Sequence, residues 1–469
     1  MTTDTPSIGR TASSPSANAF YLAAWRWHFY AGLFVVPFLL VLAITGLIML
    51  YFNSVETRFG ERHFVDPAGD PLPITVQAEA ATELFPGGTL KQYIAPPAPD
   101  RAGLFSIDID EKNMVVAVDP YTAQTFGSVE KDSTWFYFAN SIHGTLLIGD
   151  LGDRLMEIAA GLGVILLVTG LYLWWPRSGK GLGRALVPDL AAKGRSFWKE
   201  LHVTTGACIS LVLLFFLISG LAWTGIWGGQ FVQAWSTFPA EKWDNVPLSD
   251  DTHATMNHGA MHEVPWGLEQ TRLPMSTLVA AGDDHVASSS FTLDDVVALA
   301  RDIGFDEQFR VNVPGDPTGV YTISADSMDG DTTDPTGDRT VHVDQYSGAV
   351  LAEVGFADYG LAAKSMAVGI ALHQGDMGLW NTVLNTIFGL SIAFLCISGV
   401  VMWWKRRPSG ALRLAPPPLP VDLPLWKGAV FIALLLSLAF PLVGLTLLAA
   451  MALDLLILAR IPVLRRAFS

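Results

Sequence analysis

Five stretches without a single charged residue, each long enough to cross a membrane, govern what this chain can become: residues 29–52, 158–175, 203–227, 379–404 and 428–453. A hydrocarbon core of roughly 30 Å takes about 20 residues of helix. With 51% hydrophobic and 16% charged residues and a mean hydropathy of +0.37, a soluble fold would have no polar surface to hide them behind. The chain is therefore expected to be a membrane α-helical bundle with the lipid bilayer as a partner. Its first apolar stretch follows a polar Ser/Thr/Ala-rich leader without a small-residue cleavage site, so it is expected to remain as an anchor.

Lysine and arginine set the orientation. Arg177, Lys180, Arg184, Lys193, Arg195 and Lys199 follow the second stretch, and Lys405, Arg406, Arg407 and Arg413 follow the fourth, which predicts cytoplasmic loops over 177–201 and 405–425 and a cytoplasmic tail over 1–27. Core helices are then expected over 28–52, 151–176, 202–227 and 379–404. The long connections, 53–150 and 228–378, carry 14 acidic against 6 basic and 23 acidic against 6 basic residues, and are expected outside the inner (cytoplasmic) membrane. The last stretch ends in Arg460, Arg465 and Arg466, so charge bias favours a C-terminal helical hairpin over 426–460 turning near Pro441, with a single crossing as the alternative. A net charge of −15 argues against nucleic acid. Cys208 and Cys396 lie inside apolar stretches, so the outer segments are not disulfide scaffolds.

The chain repeats itself. Trp27-His28-Phe29-Tyr30-Ala31-Gly32 matches Leu201-His202-Val203-Thr204-Thr205-Gly206, and each leads with the same spacing to Thr45-Gly46 or Ser219-Gly220. His143 runs through Thr169-Gly170 to Trp174-Trp175-Pro176-Arg177, as His373 runs through Ser398-Gly399 to Trp403-Trp404-Lys405-Arg406. The unit is helix, outer domain, helix, used twice as parallel repeats. Equivalent histidines then pair: His28 with His202 at the cytoplasmic boundary, His143 with His373 at the outer one. Two neutral imidazoles make a six-coordinate haem site, and Gly32, Gly46, Gly206 and Gly220 would let a macrocycle approach the helices. Thr45-Gly46 and Ser219-Gly220 would reach the outer haem, Thr169-Gly170 and Ser398-Gly399 the inner one. The double tryptophans are expected as membrane-interface residues.

The outer segments read as small α+β units, a helix on a few strands. Residues 104–109 and 114–118 flank a polar turn, residues 320–324 and 340–343 flank an acidic loop, and residues 292–300 open with a helix cap. The five aspartates of 326–338 miss the calcium-loop spacing and are expected as a solvated hairpin tip. His253, Met256, His258, Met261 and His262 form a cluster that would bind transient iron or copper, because thioethers and imidazoles suit copper. His63, His285 and His342 are expected at the surface.

At these residues the chain resembles the PepSY-associated transmembrane proteins, also called iron-regulated membrane proteins. The resemblance rests on the His-x-x-x-Gly openings, the run His143-Gly144-Thr145-Leu146-Leu147-Ile148-Gly149-Asp150-Leu151-Gly152-Asp153-Arg154, the Trp-Trp-Pro-Arg end, and Val264-Pro265-Trp266-Gly267-Leu268-Glu269-Gln270. It also rests on the hairpin signatures of 118–127 and 343–351, where Ala123 and Gln345 stand in place of the usual glycine and proline. It covers about residues 20–410. It implies four core helices holding two b-type haems, two PepSY-like outer domains, and an activity similar to that of siderophore reductases, which pass electrons to a ferric chelate outside the membrane. No dinucleotide fingerprint names the electron donor. Two other classes stay open: a membrane-anchored PepSY binding or regulatory module without redox activity, and a copper-handling redox protein. None of the four core stretches contains a carboxylate, which speaks against a proton-coupled carrier.

Overall fold

The computed structural model describes residues 15–177, 181–243, 246–257, 263–276, 291–407, 414, 416–417 and 426–456. Its helices are α1 (Pro15–Ser54), α2 (Ile74–Thr82), α3 (Trp135–Thr145), α4 (Asp150–Trp174), α5 (Leu182–Ala185), α6 (Arg195–Leu221), α7 (Trp227–Phe231), α8 (Leu293–Asp302), α9 (Leu361–Gln374), α10 (Leu379–Arg406), α11 (Trp426–Ala439) and α12 (Pro441–Leu456). Its strands are β1 (Thr89–Ile94), β2 (Gly103–Ile109), β3 (Lys112–Val118), β4 (Thr125–Glu130), β5 (Leu248–Thr252), β6 (Arg272–Pro274), β7 (Arg310–Asn312), β8 (Val320–Ala325), β9 (Arg339–Asp344) and β10 (Val350–Gly355). Four segments, Ala19–Ser54 within α1 and the whole of α4, α6 and α10, are long and apolar enough to cross a membrane. The chain divides into two compact units: Met1–Ala43 with Ile148–Trp227 and Leu390–Ser469, and Ile44–Leu147 with Gly228–Gly389.

In the first unit α4 packs along α6, and α12 lies on α4. Val443 of α12 is buried with Val35 and Leu162. It sits where a Cβ on Gly161 would come within 2.5 Å of its methyl, so only glycine allows the contact. The tail turns back at Phe440–Pro441, sharply enough that Gly444 lies against Ser437. Outward faces stay apolar: Leu211 is 80% exposed and Val168 58%, as lipid-facing positions require. The double tryptophans terminate the helices alike. Trp174 Nε1 donates to the carbonyl of Ala185 (3.0 Å), and Trp403 Nε1 to that of Leu414 (2.8 Å), in each case eleven residues on.

Helix α4 begins well before the charge-free stretch at 158 and brings two carboxylates with it. Glu157, 3% exposed, accepts the backbone N–H groups of Ile226 and Trp227 (both 3.2 Å), and Asp153 accepts that of Gly225 (3.1 Å). They satisfy backbone donors where the chain leaves α6, which is a structural use for a carboxylate near a membrane boundary.

The second unit departs from the expected pair of separate α+β domains. Eight strands form one antiparallel sheet in the order β10-β9-β8-β7-β1-β2-β3-β4. Each half is a helix and four strands, and the halves join edge to edge where β1 meets β7 (Gln92 opposite Asn312, Tyr93 opposite Val311, Ile94 opposite Arg310). Joining buries two strand edges that would otherwise stand unpaired. One core results, with Phe105, Ile107, Phe309, Val311, Ile323 and Val341 of the sheet beneath Ala81 of α2 and Val296 of α8, all fully buried. Each large side chain there contributes roughly 1.5–3 kcal/mol. The opposite face of the sheet is polar and is also buried, including Gln92, Ser106, Arg310, Thr322 and His342.

The two hairpin signatures fold alike. Asp119 Oδ1 accepts the N–H of Tyr121 (2.8 Å) and Asp344 Oδ1 that of Tyr346 (2.9 Å), while the tyrosine hydroxyls donate to Pro99 and Pro317 carbonyls (3.0 and 2.8 Å). Gly348 takes φ +70°, and Ala123 stands at the equivalent position with φ +55°. A left-handed Ala costs roughly 1 kcal/mol. Ala123→Gly is thus expected to raise stability by several tenths of a kcal/mol up to about 1 kcal/mol, read as an upward shift in a denaturant midpoint.

The aspartate-rich loop is a second departure. Asp326, Asp329, Asp331 and Asp338 are 1, 7, 5 and 4% exposed rather than standing in solvent, with Asp329 and Asp331 paired to Arg310 and Asp338 accepting from Ser327. The arginine arrives from a strand far away in sequence, so the loop alone does not announce its burial.

Candidate functional site

His28 lies in α1 and His202 in α6, both in the first unit. The Nδ1 of His28 donates to the carbonyl of Leu166 (3.0 Å) and lies 3.1 Å from Thr169 Oγ1, whose own proton goes to Ile165 (2.7 Å). The Nδ1 of His202 is 2.8 Å from Ser398 Oγ, whose proton goes to Leu395 (3.1 Å). Because both hydroxyl protons are spent on their own helices, the oxygens accept and Nδ1 carries the imidazole proton. That leaves Nε2 of each ring with a free lone pair, the tautomer a metal requires.

His143 and His373 belong to the second unit, each in the last turn of a short helix, α3 and α9. Each helix ends in a left-handed turn, at Leu146 (φ +53°) and at Gly375 (φ +90°). A Cβ on Gly375 would stand 2.2 Å from Leu50, so this corner admits only glycine. The His143 Nδ1 lies 2.9 Å from Thr45 Oγ1. Two side chains in the first turns of α10 tie down the end of α9: Asn381 Nδ2 donates to the Leu372 carbonyl (3.0 Å), and Asn385 Nδ2 to those of Leu372 (2.8 Å) and His373 (3.1 Å). Asn381 is fully buried.

The rings of His143 and His373 stand 6.5 Å apart, centre to centre, at 82°. A metal–nitrogen bond of roughly 2 Å, with about 1 Å more to each ring centre, sets two imidazoles on opposite sides of one metal about 6 Å apart. The spacing fits such a pair and is too long for a hydrogen bond between the rings. Burial holds His143 down to about 4 and His373 down to about 3, the latter also lowered by His143, so both are neutral at pH 7. His28 and His202 also interact electrostatically with one another.

The glycines divide by role. A Cβ on Gly170 would stand 3.0 Å from His28 Cε1, one on Gly46 3.6 Å from His143 Cε1, and one on Gly399 3.8 Å from His202 Cε1. These follow the hydroxyl residues and make room for the rings those residues orient. Gly32 and Gly206 face Leu166 and Leu395 at ordinary contact, and Gly220 faces open space. Asn381 and Asn385 were not singled out from the sequence. Their signal is an i, i+4 amide pair entering an otherwise apolar helix.

The family model for the PepSY-associated TM region matches residues 25–406. The chain belongs to the PepSY-associated transmembrane family. A search of curated proteins finds no match. As a member of that family with four helices apolar enough to span a bilayer, it is a membrane protein.

Of the His/Met cluster, His258, Met261 and His262 lie outside the described residues, as does His285. His253 is fully buried, with both nitrogens engaged: Nδ1 donates to the Thr271 carbonyl (2.7 Å) and Nε2 meets His342 Nε2 at 3.0 Å. His342, expected at the surface, is fully buried as well, and its Nδ1 lies 3.0 Å from Thr322 Oγ1. One tautomer satisfies all three bonds: Thr322 donates to His342, His342 to His253, and His253 to Thr271.

Burial lowers His253 to about 4, and burial together with His253 lowers His342 well below its ordinary value. A histidine depressed on folding binds protons more tightly when unfolded. Its contribution is intact above pH 6.5 and is lost as pH falls from there toward 4. Acidification to pH 5 is expected to cost on the order of 2 kcal/mol through His253, seen as a falling urea midpoint. A midpoint unchanged between pH 7 and 5 would mean that the pair is not buried in solution.

Proposed function

We propose that this chain is a di-haem electron-transfer protein of the inner membrane, N-terminus cytoplasmic, that reduces a ferric chelate of the siderophore type on the outer side. The observation that carries it is the His143–His373 pair, two half-buried neutral imidazoles at the separation of ligands to one metal. The basic-aromatic ends of the helices support the orientation: Arg177 stacks on Tyr21 and Tyr172, and Arg407 on Trp403 and Trp404, as at a cytoplasmic interface.

Two b-type haems, one held by His28 and His202 and one by His143 and His373, would supply one-electron transfer. The protein's share is positional. Thr169, Ser398 and Thr45 fix the imidazoles through Nδ1 and aim Nε2 at the cofactor. Asn381 and Asn385 hold the helix end that carries His373. Burial keeps water and protons from competing for His143 and His373. Weakening hard-oxygen chelation by reducing Fe(III) would release the metal.

The deciding measurement is a dithionite-reduced minus oxidised spectrum of the detergent-purified chain, with pyridine haemochrome quantitation. Two b-haems per chain are expected, and adding a ferric hydroxamate or catecholate should reoxidise them while a ferrous indicator colours. A folded but colourless protein would sink this function and leave the anchored binding module.

A further inference from the structure

The buried aspartate loop of the second unit carries a feature that electron transfer does not use. Asp326, Asp329 and Asp331 each bring a carboxylate oxygen within 4.8 Å of the other two. Twice the roughly 2.3–2.6 Å reach of a calcium–oxygen bond is the most by which any two ligands of one ion can stand apart, so the separations are compatible with a shared ion. The loop is shaped to hold them there. Asp326 Oδ1 accepts the N–H of Asp329 (2.8 Å), the carbonyl of Asp326 accepts that of Asp331 (3.0 Å), and Gly330 turns the chain at φ +76°.

Two unsatisfied groups point to a ligand. Asp326 is 1% exposed and its Oδ2 has no hydrogen-bond partner among the described residues. Tyr359, 5% exposed and from outside the loop, lies within electrostatic range of Asp338 and Asp326, and its hydroxyl has no hydrogen-bond partner among the described residues. A buried acceptor left empty costs roughly 1–3 kcal/mol, and more when charged. The charge balance points the same way. Asp326, Asp329, Asp331, Asp338 and Asp376 are set against two guanidiniums. Arg310 pairs with Asp329 and Asp331 (3.3 and 3.0 Å), and Arg58 with Asp329 and Asp376 (3.4 and 3.2 Å).

We propose that Asp326, Asp329 and Asp331 form a binding site for one hard divalent cation, Ca²⁺ by its chemistry. The donors are all oxygen and include neither thiolate nor imidazole, which disfavours zinc and copper. Carboxylates carried on a loop suit calcium's variable geometry better than magnesium's strict octahedron. The ion would complete the charge of the loop and fix Asp329 on Arg58, which also donates to Gln374 Oε1 (3.0 Å), the residue after His373.

The test is equilibrium dialysis of the purified full-length chain against Ca²⁺, counting bound ions, beside its thermal melt in Ca²⁺ and in EDTA. One ion per wild-type chain is expected, displaced by EDTA, with a melt about 5 °C higher in millimolar Ca²⁺. Asp326→Asn should bind none and should melt alike in both buffers. No saturable binding to the wild type, or equal binding to a folded Asp326→Asn, overturns the site. Should Asp326→Asn fail to accumulate, the wild-type pair decides alone: one saturable ion with a raised melt supports the site, and its absence removes it.

Discussion

Replacing His143 by alanine is expected to lower the haem content from two per chain to one, and His373→Ala should do the same to the same haem. His202→Ala and His28→Ala should each remove the other haem, so the four variants fall into two spectral classes. The division follows from placement: His28 and His202 lie in one unit and His143 and His373 in the other. Their anchoring bonds are also separate, with Thr169 and Ser398 serving the first pair and Thr45 serving His143. A site that would hold a b-type haem through two imidazoles would lose, with either one, half of what anchors the group. Pyridine haemochrome ratios measure the outcome directly. Loss of both haems from every variant would mean that the pairs are not independent. Loss of none would remove histidine ligation altogether.

The features legible in the sequence are those written locally or written twice. Charge-free runs of membrane length need no partner to be recognised, and the helices appear where those runs lie. Duplication makes the histidines informative. Two copies of one helix pair place Thr169, Ser398 and Thr45 against His28, His202 and His143, although the hydroxyls prove to orient imidazoles where only a path for the macrocycle was expected. What was not legible depends on partners distant in the chain. The edge that joins the two half-sheets pairs residues 92–94 with a three-residue strand at 310–312, too short to show any alternation. His253 and His342 meet 89 positions apart, and nothing near either signals the other. The aspartate loop reads as solvated because its buried counter-charges, Arg310 and Arg58, come from other elements. Burial is a property of the fold, and a run of aspartates carries no trace of it.

Arg58 is where those distant partners converge, and Arg58→Ala is expected to be the most destabilising single change in the second unit. Its guanidinium donates to Asn53 Oδ1 (2.9 Å), the Met328 carbonyl (2.8 Å), Gln374 Oε1 (3.0 Å) and Asp376 Oδ2 (3.2 Å), and reaches Asp329 Oδ1 at 3.4 Å. It also stacks on the ring of Phe136 in α3, the helix that carries His143. One side chain thus ties the loop after α1, the aspartate loop, the start of α3 and the end of α9. Truncation strands Asp376, whose side chain is 7% exposed, and leaves Asp329, 6% exposed, to Arg310 alone. Breaking a buried pair in this way typically costs about 3–5 kcal/mol. Lysine should restore little, because a compact ammonium with three donors cannot span five acceptors laid out around a planar fork. The expected result is a large fall in the denaturant midpoint for Arg58→Ala and Arg58→Lys alike, with haem lost first from the His143–His373 site. A position that served only to screen surface charge would instead tolerate lysine and leave both haems in place. Midpoint and haem stoichiometry measured on the same preparations separate the two, because a surface salt bridge contributes less than about 1 kcal/mol and has no route to His143 or His373.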